Sequence, residues 1–413
     1  MYYRLNDNCQ LVKGACRGAI YDFQSGKVFS INYDALQLLE ECKNKSIYDV
    51  IDINLPANNT VLDFIDQLTY KGLGAIYINR MENNNKTDVE DEELTLSFLW
   101  LELTSKCNNK CLHCYSSSDA YRNDDNMTHD RWMSLISEAH SEGATSIQLI
   151  GGEPLLYPKW RELVIKANEE GYEFIEIFTN ATIIDDSCIE FFKQQNVNIA
   201  TTIYADNAEV HDKVTLHPGS FNKTMDAVRK ILDAGVPLRI ASIIMKENEN
   251  EADNIMKLLE DLGVETTKLD VVRPTGRGDD DSLLPTKFKN PPIKPPFYTS
   301  AEEFWKAHKH HNCLAGKIAV TSTGDVIPCI FARNEVCGNI INSSLGEILN
   351  GPDLQKCWNT TKDEVKKCKD CEYRYACYDC RPKAQGSDSN KDWYACSVDC
   401  EYNPYTGVWE DEI

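Results

Sequence analysis

The segment Cys107-Asn108-Asn109-Lys110-Cys111-Leu112-His113-Cys114 brings three thiols into eight residues, and ten further cysteines lie within Cys313–Cys400. Spaced three and then two residues apart, the first three can wrap a compact loop around a cubane cluster. Three thiolates on a 4Fe–4S cube leave one iron open to another molecule. The competing occupant is a structural zinc ion, with His113 or a distant residue as fourth ligand. Gly151-Gly152-Glu153-Pro154 directly follows the apolar run Ser146–Ile150. Glycines at a strand end let the backbone approach a ligand and expose carbonyls to it. The downstream group reads Cys313, Gly324, Cys329, then Cys368-x2-Cys371-x5-Cys377-x2-Cys380, then Cys396 and Cys400. Zinc is the alternative there as well.

These residues need a scaffold, and the pattern supplies one. Candidate strands at Phe98–Leu103, Ser146–Ile150, Phe174–Phe178, Asn198–Ile203, Leu238–Ile244 and Lys268–Val272 alternate with helical stretches at Arg131–Ser141, Tyr157–Glu170, Ser187–Gln195, Phe221–Ala234 and Glu251–Leu262. Repeated strand–helix units imply a parallel sheet with right-handed crossovers, here an α/β fold with an open, partial six-stranded barrel. Chemistry in such barrels sits at the C-terminal strand ends, where both the first cysteine loop and Gly151–Pro154 fall. Ahead of it, Gly18–Ile31 reads as a hairpin, followed by a helix at Tyr33–Glu41, a second at Val61–Lys71 and a strand at Gly74–Ile78. That order predicts a small winged-helix-like module over 1–82. An acidic linker follows over 83–94, the barrel over 95–290, a proline-rich bridge over 291–312 and a cysteine-rich domain over 313–413.

Residues 95–280 resemble radical S-adenosylmethionine enzymes. The resemblance implies that Cys107, Cys111 and Cys114 hold a 4Fe–4S cluster whose open iron chelates S-adenosylmethionine. It implies that Gly151, Gly152, Glu153 and Pro154 meet the methionyl amine, with weaker matches at Asn180, Thr202 and Asn248. For those three a loop-capping role is the alternative. The C-terminal cysteines resemble a SPASM domain with two auxiliary 4Fe–4S clusters, three clusters in all. By that pattern Cys313, Cys329 and Cys380 serve the first auxiliary cluster. Cys368, Cys371 and Cys377 serve the second, completed by Cys400 or Cys396. The Cys377–Cys380 spacing is one residue shorter than usual, and ten cysteines exceed the eight ligands needed. Cys337 or Cys357 could complete the first cluster, or its iron stays open for a substrate thiol. Residues 1–80 resemble the leader-recognition modules of peptide maturases, which add a leader as an extra strand at a sheet edge.

The chain has 413 residues and a formal net charge of −22. That surface repels phosphate backbones and anionic lipid, so neither nucleic acid nor membrane is the expected partner, whereas a basic peptide is attracted. Met1–Asp7 lacks the pattern of an export signal, and no window approaches the roughly 18 apolar residues of a membrane span. A cytoplasmic protein is expected, with metal ligation rather than disulfides accounting for seventeen cysteines. The resulting expectation is a maturase that crosslinks a ribosomally made precursor peptide through a thioether, C–C or C–O bond. A low-potential donor such as flavodoxin or ferredoxin would supply electrons. The alternatives are a radical enzyme oxidising a residue of a folded protein, as sulfatase-type maturases do, and a non-catalytic metal-binding protein.

Overall fold

Short runs such as Phe98-Leu99-Trp100-Leu101 and Ser146-Ile147-Gln148-Leu149-Ile150 are apolar nearly throughout, the mark of strands covered on both faces. A computed structural model describes residues 1–51, 59–79, 94–264 and 269–409. In it, β1 (Tyr2–Leu5), β2 (Cys9–Lys13), β3 (Arg17–Asp22), β4 (Lys27–Asn32), α1 (Tyr33–Cys42), α2 (Ile47–Val50), α3 (Asn59–Tyr70) and β5 (Gly74–Tyr77) form the N-terminal part. The strands β2-β3-β4 make an antiparallel sheet and β1 pairs with β5. The strands β1 and β2 are not evident in the sequence, because four or five half-buried residues carry little period. The expected linker lies almost wholly outside the described residues.

The central part runs β6 (Phe98–Glu102), α4 (His129–Ser141), β7 (Ser146–Ile150), α5 (Trp160–Glu170), β8 (Phe174–Phe178), α6 (Asp186–Gln194), β9 (Asn198–Thr202), α7 (Ala208–Thr215), α8 (Ser220–Asp233), β10 (Leu238–Ala241), β11 (Ile243–Ile244), α9 (Ala252–Asp261) and β12 (Asp270–Val271). Side chains fix the helix starts: Thr128, Asp185 and Asn207 accept from the backbone N–H three residues on. The strands β6 to β10 run parallel in sequence order. The expected strand Leu238–Ile244 is broken at Ser242, whose hydroxyl donates to the Ile203 carbonyl at 2.7 Å. The strand β12 therefore pairs with β11 rather than β10.

The remaining elements are α10 (Ala301–Lys309), β13 (Lys317–Val320), β14 (Asp325–Ile327), β15 (Gly338–Asn339), α11 (Leu345–Leu349), α12 (Pro352–Asn359), α13 (Arg381–Ser387), β16 (Tyr402–Asn403) and β17 (Val408–Trp409). Here the structure adds something the sequence reading lacked. The strand β13 pairs in parallel with β6 and carries β14 and β15 onto the same sheet, giving the order β10-β9-β8-β7-β6-β13-β14-β15. One apolar core accordingly runs from Leu99, Trp132 and Ile147 into Ile318, Leu354 and Trp358. The Glu102 carboxylate on β6 accepts from Arg333, a second tie across the join.

The N-terminal sheet packs on the cysteine-rich end. Tyr21 and Val12 share a core with Phe304 and Tyr375, and the Tyr21 hydroxyl donates to the Glu372 carbonyl at 2.9 Å. The fully buried Glu372 carboxylate accepts from Tyr402 at 2.6 Å and from Ser30 at 3.4 Å. Glu372→Ala strands the buried Tyr402 hydroxyl and removes a contact of the half-buried Ser30, so a loss of about 2 kcal/mol is expected in urea unfolding. A change below about 0.5 kcal/mol would show that this contact does not hold the N-terminal sheet in place.

Candidate functional site

The C-terminal ends of the parallel strands surround a cavity of about 390 Å³. Cys107, Cys111 and Cys114 line it, together with Gly151, Gly152, Asn180 and Thr202. Three elements fix the cysteine loop. The Cys107 N–H donates to the Asp119 carbonyl at 3.0 Å. The N–H groups of Lys110 and Leu112 donate to the carbonyls of Thr215 and Val214 at the end of α7. Arg277 then clamps the loop from below: Nε reaches the Cys111 carbonyl at 2.9 Å and Nη2 the Ser118 carbonyl at 2.8 Å.

Arg277 is not among the candidate site residues that the sequence suggests. The available signal was Gly276-Arg277-Gly278 just beyond the sixth strand. Gly276 sits at φ +60°, and a Cβ there would lie 2.3 Å from the Tyr115 carbonyl oxygen. His217 also supports the loop, its Nδ1 lying 2.6 Å from Asn109 Oδ1. His211 instead accepts from the Tyr204 N–H at 3.3 Å, inside the barrel.

The strand-end glycines lie hard against the cysteine loop. Gly152 N–H donates to the Thr104 carbonyl and Glu153 N–H to the Lys106 carbonyl, both at 2.8 Å. A Cβ on Gly152 would lie 2.1 Å from the Lys106 oxygen, so no larger residue fits. Glu153 and Pro154 are not in the cavity wall. The buried Glu153 carboxylate turns to Thr179 Oγ1 at 2.7 Å, Asn180 N at 2.8 Å and Leu155 N at 3.0 Å. Burial pushes its carboxyl up to about 7, against those three hydrogen bonds.

Asn180 Nδ2 donates to Asn108 Oδ1 at 2.8 Å and lies 3.7 Å from Cys107 Sγ. Asn248 is placed differently: it is buried, outside the cavity wall, and ties Tyr204, Ile243 and Met245 together. That is the loop-capping alternative. The far wall holds Tyr115, Ile330, Phe331, Arg239 and Arg273. Arg239 makes a two-pronged bond to Glu176 at 2.7 Å. Arg273 pairs with Asp270 at 2.7 Å, stacks over Phe331 and extends Nη1 to 3.6 Å from Cys380 Sγ.

The downstream cysteines fall into three groups. Cys313, Cys329 and Cys380 act electrostatically on one another. Cys368, Cys371, Cys377, Cys396 and Cys400 form the second group, with Cys368 and Cys396 Sγ 3.7 Å apart. Cys337 faces Cys357 in the apolar core rather than the first group.

The thiols suit iron–sulfur clusters. Burial pushes Cys107 up to about 12, and burial with its two companions holds Cys111 well above the ordinary thiol range. Metal coordination is what makes thiolates stable in such a place.

Two family profiles match the chain: the Radical SAM superfamily over residues 101–259, and SPASM, an iron–sulfur cluster-binding domain, over 313–372. The chain is a radical SAM protein with a SPASM domain. Binding of S-adenosylmethionine and of iron–sulfur clusters follows from those two domains. This radical SAM protein is 26% identical to an AdoMet-dependent heme synthase of Methanosarcina barkeri (strain Fusaro / DSM 804), over 73% of this chain and 95% of that protein. It is 27% identical to the antilisterial bacteriocin subtilosin biosynthesis protein AlbA of Bacillus subtilis (strain 168), over 70% of this chain and 68% of that protein. Among solved structures, SuiB of Streptococcus suis bound to S-adenosylmethionine shares the fold with a TM-score of 0.60 at 15% identity, covering 96% of this chain and 100% of that one. Among the described residues, no helix is long and apolar enough to cross a membrane.

The raised Glu153 carboxyl carries a pH signature. Its folded value near 7 exceeds the ordinary 4.5, so the folded state keeps a proton that the unfolded chain releases. Stability from this group is full below about 4.5 and is lost as pH rises toward 7, on the order of 3 kcal/mol. In the iron-free protein, moving from pH 5 to pH 8 should therefore shift the stability difference between Glu153→Gln and wild type in favour of the variant. Parallel urea midpoints at both pH values would contradict this.

Proposed function

We propose that this chain is a maturase that installs a crosslink in a ribosomally synthesised precursor peptide. The observation that carries it is the joining of a radical SAM cavity to a cysteine-rich domain behind and a compact β-sheet module in front. When bound, the cluster and S-adenosylmethionine supply a 5′-deoxyadenosyl radical that can take a hydrogen atom from an unactivated carbon. Cys107, Cys111 and Cys114 are the ligands of that cluster. Gly151 and Gly152 leave room for the cofactor's methionyl end, and Asn180 and Thr202 bound the same space. Tyr115, Ile330 and Phe331 exclude water from the reacting side.

Two auxiliary 4Fe–4S clusters complete the assignment. The first is held by Cys313, Cys329 and Cys380. With Cys337 turned to Cys357, its fourth position is left to a substrate thiol, which favours a thioether over C–C or C–O closure. The second is held by Cys368, Cys371 and Cys377 with Cys400 or Cys396. We read residues 1–82 as a winged-helix-like leader-recognition module, 83–94 as a linker, 95–290 as the partial (β/α)6 barrel, 291–312 as a bridge and 313–413 as the SPASM domain. The sheet β2-β3-β4 has two outer edges on which a leader can add as a strand. The first residue of β4, Lys27, is already bridged by Tyr298.

Similar proteins support a peptide substrate. AlbA is named for subtilosin biosynthesis, a PqqA peptide cyclase of Granulibacter bethesdensis is 22% identical over 67% of this chain, and SuiB has been solved with its precursor peptide SuiA. The SuiB fold covers 96% of this chain, N-terminal sheet included, whereas the heme synthase match covers 73%. The enzyme would work in the cytoplasm with a flavodoxin or ferredoxin as donor.

Anaerobic reconstitution tests the assignment. About twelve irons per chain are expected, with 5′-deoxyadenosine released under dithionite and S-adenosylmethionine. Cys107→Ala should remove about four of those irons and lower nucleoside release at least a hundredfold. Incubation with a peptide encoded beside this gene should yield a product lighter by two hydrogens. Nucleoside release with about four irons in the wild type would remove the auxiliary clusters. A folded protein that is modified in place of any small peptide would favour the sulfatase-type alternative.

A further inference from the structure

Lys362 lies just beyond α12, six residues before Cys368, and is 8% exposed. Its Nζ donates to the Tyr378 carbonyl oxygen at 2.9 Å. The Cys377 thiol is directed at the same oxygen from 3.4 Å, so ammonium and sulfur converge on one point between Cys377 and Cys380. Among the described residues, no carboxylate comes within 4 Å of Nζ. The acid it faces, Asp379, is held by Arg381 at 2.6 Å and lies 3.5 Å from His311 Nε2. The remaining groups acting on Lys362 are sulfurs, those of Cys377 and Cys368.

A buried ammonium hydrogen-bonded to one carbonyl, and sharing its nearest acid, Asp379, with Arg381, is a costly arrangement. Neutral thiols do not relieve it; thiolates do. A cubane with four thiolates is an anion in both oxidation states and gains one further negative charge on reduction. A fixed cation beside its ligands therefore stabilises the reduced form more than the oxidised one. The same chain offers a contrast at the first auxiliary site. Arg273 approaches Cys380, but its charge is already offset by Asp270 at 2.7 Å.

We propose that Lys362 is the built-in counter-charge of the second auxiliary cluster, retaining that cluster and raising its reduction potential. The proposal rests on the reading that Cys368, Cys371 and Cys377, with Cys400 or Cys396, hold iron. Lys362 is a positioning residue: it touches neither substrate nor S-adenosylmethionine.

The test uses the full-length chain, reconstituted without oxygen, as wild type, Lys362→Met and Lys362→Arg. Redox titration followed by electron paramagnetic resonance is run in a C107A/C111A/C114A background, so that auxiliary signals alone remain. One auxiliary signal should move to a more negative potential in Lys362→Met and return toward the wild-type value in Lys362→Arg. Chelator-driven iron loss should be several-fold faster in Lys362→Met. In the iron-free protein the sign reverses, and Lys362→Met should melt no lower than wild type. If Lys362→Met takes up too little iron to titrate while Lys362→Arg takes up the full amount, both with native circular dichroism, the counter-charge role is upheld by retention. Full iron with unmoved potentials in Lys362→Met overturns this inference and leaves the cluster assignment standing. Wild-type protein without auxiliary iron overturns both.

Discussion

The cavity thiols Cys107 and Cys111, buried side by side, resist ionisation, and this constraint organises the barrel mouth. The first group of cysteines is held by hydrogen bonds to the backbone around it. At the barrel mouth the carbonyls of Cys111 and Ser118 are fixed by Arg277, and the N–H of Cys107 by Asp119. Positive charge then accumulates where sulfur does. Arg273 reaches Cys380 and Lys362 reaches the Cys377–Cys380 loop, in a chain whose net charge is −22.

The barrel and the cysteine-rich region are joined by a continuous sheet rather than a flexible hinge. Because β13 adds in parallel to β6, the residues after Cys313 begin as part of the central sheet. Ile330 and Phe331, which follow Cys329, thereby become a wall of the cavity. This places the first auxiliary cysteines one side chain, Arg273, away from the space where substrate and cofactor would meet. The N-terminal sheet docks on the cysteine-rich end through Glu372, next to Cys371. A peptide bound at that sheet, as proposed, would be tethered to the same body that carries the cavity, which would raise its effective concentration there.

Much of the site was legible because its signals are local. The three-cysteine loop and the glycine pair each occupy a few consecutive residues at a strand end, and their chemistry follows from residue type and spacing. Asn180 and Thr202 reached the cavity because strand ends converge in a parallel sheet. Asn248, chosen by the same logic, did not, because Ser242 breaks the fifth strand and turns the following loop inward to bond Tyr204 and Ile243. Arg273 and Lys362 carry no sequence signal as site residues, since a lone basic side chain has no period or spacing, whereas Arg277 is marked only by its flanking glycines.

The sequence by itself determined the class of chemistry, the α/β alternation and the two separate sets of cysteines, all properties written within short windows. Tertiary structure decided which cysteines stand together. Cys337 is only eight residues from Cys329, yet it faces Cys357 in the core, because β15 begins at the next residue and its pairing carries the chain away from the first group. Tertiary structure also decided which charges meet the sulfurs. Such pairings join residues far apart in the chain, and they depend on packing and sheet register that no local pattern encodes.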